Sequence, residues 1–246
     1  MISKGIDASA HITNVVAADL VKNNYSFVCR YIVPVGYSKR LSISEAEIIS
    51  NAGMKILCVY ETTASRAKGG STAGDKDGSI AFNEAQILKM PKSAIIYFAV
   101  DFDARSNDMD SIEAYLKAAR GRTGDYEVGV HGSYSVIEQM AQRGACKGFW
   151  QTYAWSIGKQ SQYATVYQHK NGQMISGIMA DLNEAYSDVG MWNYKALDNL
   201  PSAWAAEAVN KAIAKGIKGD ENGDLKLHEP VTFERLLVTL DRVGLL

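Results

Sequence analysis

The stretch "AIIYFAVDFD", residues 94–103, decides the fold because an apolar run there ends in two carboxylates, Asp101 and Asp103. Its β-branched and aromatic residues favour a strand. Side chains alternate along a strand, so the two carboxylates share one face with Tyr97, whereas Phe98 lies on the other face. In a barrel, the apolar face packs under the helices and the mixed face points inward. We therefore expect both acids at the carboxyl-end mouth of a barrel.

Short strand-like runs alternate with amphipathic stretches through the first three quarters of the chain, which is typical of strand-helix units around a parallel sheet. Eight runs are strand candidates: residues 5–9, 27–32, 55–61, 94–103, 126–132, 148–155, 164–170 and 175–183. Helical spacing marks residues 15–23, 43–52, 79–90, 109–120 and 134–143 and fades after them. The pattern predicts an α/β fold, a (β/α)8 TIM-like barrel with a degraded second half.

One connection, "TTASRAKGGSTAGDKDG" at residues 62–78, is rich in Gly, Ser and charge. Long loops after barrel strands lie on the face where substrates bind. The stretch is read either as a flexible surface insertion or as a lid on the substrate side.

The chain is divided into a barrel at residues 1–188, a linker at 189–200 and a small α-helical C-terminal module at 201–246. Pro201 opens one helix, and "VTFERLLVTLDRVG" forms a second. A module of this size buries little core alone, so we expect it to dock on the barrel or to form a homo-oligomer.

Composition removes several classes of function. The formal net charge is −1, without the basic excess of a nucleic-acid binder. No apolar run is long enough for membrane insertion, and no signal peptide is read at the start. The three cysteines are odd in number and the four histidines are scattered, so we expect no disulfide framework, no metal site and no cofactor.

Four candidate strands each end in an acid: Asp7, Glu61, Asp101 and Asp181. Clustered carboxylates repel one another, which argues for a function at the mouth. Such clusters bind divalent cations or cleave glycosidic bonds, and cleavage needs one protonated and one ionised carboxyl. A metal-dependent deacetylase is a weaker alternative because no His ligands flank an Asp pair.

Other residues are candidates for substrate binding beside the acids. Arg30 is expected to pair with Asp7, and His131 either tunes the cluster or is structural. The candidates are Tyr31, Arg30, Tyr60, Tyr97, His131, Tyr134, Gln151 and Trp155.

The segments "GIDAS", "RYI", "VYE", "IYFAVDFD", "GVHGSY" and "ADLNEAY" together resemble a glycoside-hydrolase-like domain family, formerly of unknown function, related to the muramidases of glycoside hydrolase family 25. The resemblance covers roughly residues 3–186. It implies a barrel that acts on peptidoglycan glycan strands, with Asp7, Asp101 and Asp181 at matching positions. The muramidase pattern is Asp-x-Glu, so Asp103 is a departure, and Glu61 is the alternative general acid.

The segment from Trp204 to the end resembles an S-layer-homology repeat, a family that binds cell-wall polymers. A barrel joined to such a module has the layout of a phage or prophage endolysin. The expected localisation is synthesis in the host cytoplasm, followed by action at the cell wall.

The sequence thus favours an endolysin of the muramidase type that cleaves the glycan strands of Gram-positive walls through Asp101, Asp103 and Glu61, supported by Asp7 and Asp181. The alternative is a wall-glycan binding protein on a barrel that does not cut. Peptidoglycan and its associated wall polymers are the expected partners in both cases.

Overall fold

The computed structural model describes residues 2–187, 189–194 and 201–216, and single residues 225, 227, 234, 237, 238 and 241. The chain divides into two units, Met1–Tyr194 and Lys195–Leu246. Within the described residues, no helix is both long and apolar enough to span a membrane.

The first unit is a closed eight-stranded barrel, and this confirms the predicted TIM-like architecture. Its strands follow one another around the barrel in sequence order. β1 to β7 run parallel to one another, whereas β8 runs antiparallel to both β7 and β1. The strands are β1 Ser3–Asp7, β2 Phe27–Tyr31, β3 Lys55–Tyr60, β4 Ile95–Ala99, β5 Glu127–Gly132, β6 Gly148–Thr152, β7 Val166–Ile175 and β8 Ile178–Ala185.

Helices connect the first six strands, and the second half is reduced as predicted. They are α1 Asn14–Lys22, α2 Ile43–Asn51, α3 Gly70–Ile87, α4 Met109–Arg120 and α5 Tyr134–Gln142. Thr13 and Ser42 cap α1 and α2 by accepting hydrogen bonds from Val16 N and Glu45 N. β7 and β8 form a hairpin, which explains why the last strand runs antiparallel.

Residues 62–78 form neither a lid nor a loose insertion along most of their length. A 3₁₀ turn at Arg66–Gly69 leads directly into α3. The glycines allow α3 to approach α4 closely: a Cβ on Gly74 would clash with the carbonyl oxygen of Tyr115, and one on Gly78 would lie 2.5 Å from that of Ala119. Composition alone suggests that these glycines belong to a loop, but in the structure they are required by the packing of α3 on α4.

Gly74→Ala is therefore expected to destabilise the barrel, although alanine is the better helix former. Overpacking against α4 costs about 1–3 kcal/mol, which outweighs a propensity gain of roughly 1 kcal/mol. Denaturant unfolding would measure the change, with the exposed Thr72→Ala in the same helix as control. A variant at least as stable as wild type would show that the two backbones can separate at no cost.

The barrel interior is apolar below the mouth. Tyr97 lies across it, with room provided by Gly129 and Gly148, whose Cβ atoms would lie 2.6 and 2.8 Å from its ring. Its hydroxyl donates to the carbonyl oxygen of Val189 at 3.1 Å. The interior cluster contains Phe27, Cys29, Leu57, Val59, Tyr97, Ala99, Trp150, Val166, Ala185 and Val189.

Residues 189–194, placed in the linker from sequence, pack on the barrel. Val189 and Trp192 are buried, and Trp192 exchanges backbone hydrogen bonds with Ile56. The first unit accordingly ends after Tyr194.

The second unit contains the described helix α6, Ala206–Ala214, within the first predicted helix of the C-terminal module. Most of the predicted second helix lies outside the described residues.

Candidate active site at the barrel mouth

A cavity of about 160 Å³ opens among the carboxyl ends of the parallel strands. All four acids predicted at strand ends line it. Asp7 is the last residue of β1, Glu61 and Asp101 lie within two residues of the ends of β3 and β4, and Asp181 on β8 is paired with Asp7. Its lining is Asp7, Tyr31, Val59, Glu61, Ala99, Asp101, His131, Trp150, Gln168, Asn171 and Asp181.

Asp7 is the most deeply buried of these acids, at 7% exposure. Its Oδ2 accepts hydrogen bonds from Asn183 Nδ2 at 2.6 Å and Gln168 Nε2 at 3.0 Å. Burial raises the pKa of Asp7 to about 7, and the charge of Asp181 adds to the rise against these two hydrogen bonds. Since both amides bind Oδ2, Oδ1 is the oxygen left to carry a proton or contact a ligand.

Asp181 and Asp101 complete the acidic side of the cavity. Gln168 Nε2 also donates to Asp181 Oδ2 at 3.0 Å, so one amide joins Asp7 and Asp181. Desolvation raises the pKa of Asp181, opposed by a hydrogen bond from Gly172 N. Desolvation also raises the pKa of Asp101, and the positive charge of Lys39 opposes this rise.

Glu61 and Lys39 form an ion pair across the mouth. Lys39 Nζ lies 3.0 Å from Glu61 Oε2 and 4.1 Å from the centroid of the Tyr31 ring. The cation balances one carboxylate of the cluster and binds the aromatic face. Glu61 is therefore held in place by a cation at hydrogen-bond distance.

His131 and Trp150 form an uncharged wall of the cavity. Their ring centroids are 4.5 Å apart, and Trp150 Nε1 donates to Asn183 Oδ1 at 2.8 Å. Burial lowers the pKa of His131 to about 4, against opposing contributions from Glu61 and Gln168. The imidazole is therefore neutral at physiological pH and is no counter-ion for the acids.

Asp103 lies outside the cavity and is exposed. β4 ends at Ala99, and the amide of Asp101 already bonds to the carbonyl oxygen of Ala64 in another loop. Strand alternation does not extend to Asp103, so it does not join Asp101 as the sequence predicted.

Arg30 does not pair with Asp7, which corrects the prediction. It is fully buried, and its Nε donates to Glu45 Oε1 at 2.7 Å on the helix side of β2. The reason is alternation: Cys29 faces the barrel interior, so its neighbour Arg30 faces outward.

Three further substrate-binding candidates are buried away from the cavity. Tyr97 belongs to the interior core, and Tyr60 donates its hydroxyl to Asp77 Oδ1 at 3.4 Å under α3. Gln151 holds the loop after β6 through Lys159 O and Ser161 N. Their aromatic or amide character gave no information about which face of the strand they occupy.

Tyr134 and Trp155 lie beyond the cavity lining, in the segments that follow β5 and β6. Trp155 is 40% exposed. Both remain candidates for contacts with a ligand larger than the cavity.

Sequence reasoning missed Lys39, Gln168 and Asn183. Lys39 lies in an irregular loop, and the two amides lie on strands that the pattern identified. Two signals could have identified them. Both residues alternate with outward-facing residues on β7 and β8, and Asn183 lies within the segment "ADLNEAY".

The described residues contain no group of three or more His, Cys, Asp or Glu side chains arranged to hold a metal ion. Cys29, Cys58 and Cys146 are free and buried.

The family model described as Rv2525c-like, glycoside hydrolase-like domain matches residues 18–205, more than half of the chain. The FadG protein of Bacillus subtilis (strain 168) is 28% identical over 158 residues, covering 57% of this chain and 27% of FadG. The chain spans about a quarter of the length of the curated relatives it matches.

Solved structures share the fold at low sequence identity. The Tat-secreted protein Rv2525c of Mycobacterium tuberculosis superposes with a TM-score of 0.69 at 22% identity, covering 78% of this chain and 98% of that one. Two Streptococcus pneumoniae proteins follow. The modular autolysin LytC, in complex with a synthetic peptidoglycan ligand, has a TM-score of 0.56 at 14% identity. The match covers 75% of this chain and 47% of LytC. The glycosyl hydrolase 25 GHIP has a TM-score of 0.55 at 14% identity, and the match covers 76% of this chain and 87% of GHIP.

Proposed function

We propose that the barrel mouth cleaves the glycan strands of bacterial peptidoglycan. The chain belongs to the Rv2525c-like, glycoside hydrolase-like domain family. One observation carries the proposal: Asp7, with a pKa raised to about 7, shares a cavity with Asp101 and Asp181. Glycoside hydrolysis needs such a pair of roles, a carboxyl that holds a proton and a carboxylate that does not. The autolysin with this fold, which was solved with a synthetic peptidoglycan ligand, favours peptidoglycan as the substrate.

In this mechanism Asp7 donates its proton from Oδ1 to the glycosidic oxygen as the bond from that oxygen to the anomeric carbon breaks. Asp101 and Asp181 stabilise the positive charge that develops on the sugar ring. Water then adds to the anomeric carbon and returns a proton to Asp7. Gln168 keeps Asp7 and Asp181 at a fixed separation throughout, because it is bonded to both.

The finer proposal is an endolysin of the muramidase type. Residues 201–246 would bind wall polymers as an S-layer-homology-like module, alone or as a homo-oligomer, and so concentrate the barrel on its substrate. The protein would be made in the cytoplasm and act after release to the wall. Wall binding by the chain with and without residues 201–246 tests the role of this segment.

The main test is the release of reducing ends from purified Gram-positive peptidoglycan, with wall binding recorded on the same samples. Asp101→Asn is expected to lower release at least ~100-fold because it removes a charge that faces the transition state. Asp103→Asn is expected to stay within about twofold of wild type, since exposed substitutions away from a site change energies by roughly 0.5 kcal/mol or less. Release unaffected by Asp101→Asn would refute the proposed active site.

A second candidate function, binding of wall glycan without cleavage, is favoured by the position of Asp103. The muramidase pattern has its Glu there, whereas Asp103 is exposed and outside the cavity. Wall binding by wild type with no reducing ends released from walls of several hosts would support this alternative.

A further inference from the structure

The loop that follows β6, residues 153–165, is fixed by buried polar side chains. Gln151 Oε1 accepts from Ser161 N and its Nε2 donates to Lys159 O, both at 2.8 Å. Ser156 Oγ donates to Thr152 O at 2.6 Å and accepts from Tyr134 N at 2.9 Å. Because these side chains are buried, the loop conformation is strongly determined by its anchors.

Two residues in this loop have unfavourable backbone conformations. Trp155 and Ile157 have φ values of 54° and 52°, in the left-handed region that favours glycine. A β-branched residue there is a genuine outlier, and such strain persists where surrounding contacts enforce it, often at ligand clamps. The strained positions also present large apolar groups to solvent: Ile157 is 92% exposed, Trp155 40% and the neighbouring Tyr153 42%.

The loop is joined directly to the proposed active site. Tyr153 N donates to the backbone oxygen of Gln168 at 2.8 Å, and the side chain of Gln168 bonds to Asp7 and Asp181. Trp150, on the strand that leads into the loop, lines the cavity. The loop that carries the exposed apolar groups therefore begins beside the cavity.

We propose that Tyr153, Trp155 and Ile157 form a rim platform that binds sugars of a glycan strand next to those in the cavity. The inference rests on the proposed function, because a polymer held in a cavity of about 160 Å³ must lie partly outside it. Aromatic and aliphatic groups suit the apolar faces of sugar rings. The one charged residue between positions 153 and 163 is Lys159, whereas four carboxylates line the adjoining cavity and repel anions. The platform therefore fits a neutral glycan better than an anionic polymer.

The test is the affinity of the full chain for the disaccharide and the hexasaccharide of N-acetylglucosamine, measured by calorimetry. Trp155→Ala is expected to weaken hexasaccharide binding about tenfold, because one stacking contact is lost. Disaccharide binding should weaken no more than about twofold, since the disaccharide does not reach the platform. Trp155→Tyr keeps an aromatic ring and should stay within about threefold for both. Ile87→Ala, an exposed apolar residue at the end of α3 far from the strands' carboxyl ends, is the matched control.

Equal weakening at both lengths, unchanged hexasaccharide binding in Trp155→Ala, or no binding of either sugar by wild type would overturn the platform. Displacement of bound hexasaccharide by a free stem peptide would also overturn it and assign the surface to the peptide. Length-dependent binding lost in Trp155→Ala, in a protein that releases no reducing ends from walls, would refute cleavage and leave the platform standing.

Discussion

Asp7→Asn is expected to abolish glycan cleavage while making the barrel more stable above pH 7. Loss of a general acid lowers the rate by about 10²- to 10⁴-fold. The amide can keep the local structure, because its carbonyl oxygen can accept from Asn183 and Gln168 as Asp7 Oδ2 does. The variant removes the proton donor without removing the contacts that hold it.

The gain in stability follows from the direction of the pKa shift. The folded state raises the pKa of Asp7 from 3.8 to about 7, so it holds the proton more tightly than the unfolded chain. The free energy of unfolding therefore falls as pH rises through this window, because ionising the buried group is unfavourable in the folded state alone. The total cost is a few kcal/mol at about 1.4 kcal/mol per pKa unit, and a neutral amide avoids it.

Denaturant unfolding at pH 5 and pH 8 would measure this effect beside reducing-end release. The difference in stability between Asp7→Asn and wild type should grow from the lower to the higher pH. Asp125→Asn, whose side chain is 80% exposed, serves as control and should change neither quantity. A variant with full activity would exclude Asp7 as the acid, and a difference in stability that does not change with pH would exclude its raised pKa.

The framework of this site is predictable from sequence because it follows from strand periodicity. Asp7, Glu61 and Asp101 follow inward-facing apolar positions of parallel strands, so the alternation that predicts a barrel also predicts their meeting at its mouth. Asp181 pairs with Asp7 in register, although β8 runs in the opposite direction. Whether these carboxylates catalyse a reaction stays a prediction.

What the sequence could not predict depends on contacts between distant segments. Gly74 reads as a loop former until α4 is known to lie against it. Asp103 continues the alternating pattern of β4 in the sequence, but the strand ends at Ala99, before it reaches Asp103. Gln168 and Asn183 carry no charge, and their importance comes from a partner in β1 more than 150 residues away along the chain.

Arg30→Met is expected to destabilise the barrel by about 3–5 kcal/mol, more than Gly74→Ala, since it leaves the charge of Glu45 buried without its cation. Arg30 is fully buried, and Glu45 is 3% exposed. Glu45 would keep hydrogen bonds from Ile12 N at 2.8 Å and from His11 Nδ1 at 2.9 Å, which do not replace a guanidinium. The midpoint of thermal unfolding should fall on the order of 10 °C.

The double variant Arg30→Met, Glu45→Met should regain much of this loss, because two apolar side chains can replace a buried ion pair. Asp110→Ala provides the contrast: it removes an ion pair to Arg143 whose acid is 91% exposed, and should cost about 1 kcal/mol or less. A single variant as stable as wild type, or a double variant less stable than the single one, would contradict the ion pair's role.

The pair also links stability to the mouth. Arg30 donates to the carbonyl oxygens of Ala8, just after Asp7, and Lys39, whose side chain binds Glu61. The double variant restores packing but not these two bonds, so the loops at the mouth should shift. We expect it to fold and still lose activity, mainly through a higher KM. Recovery of both stability and full activity would show that Asp7 and Lys39 hold their positions without Arg30.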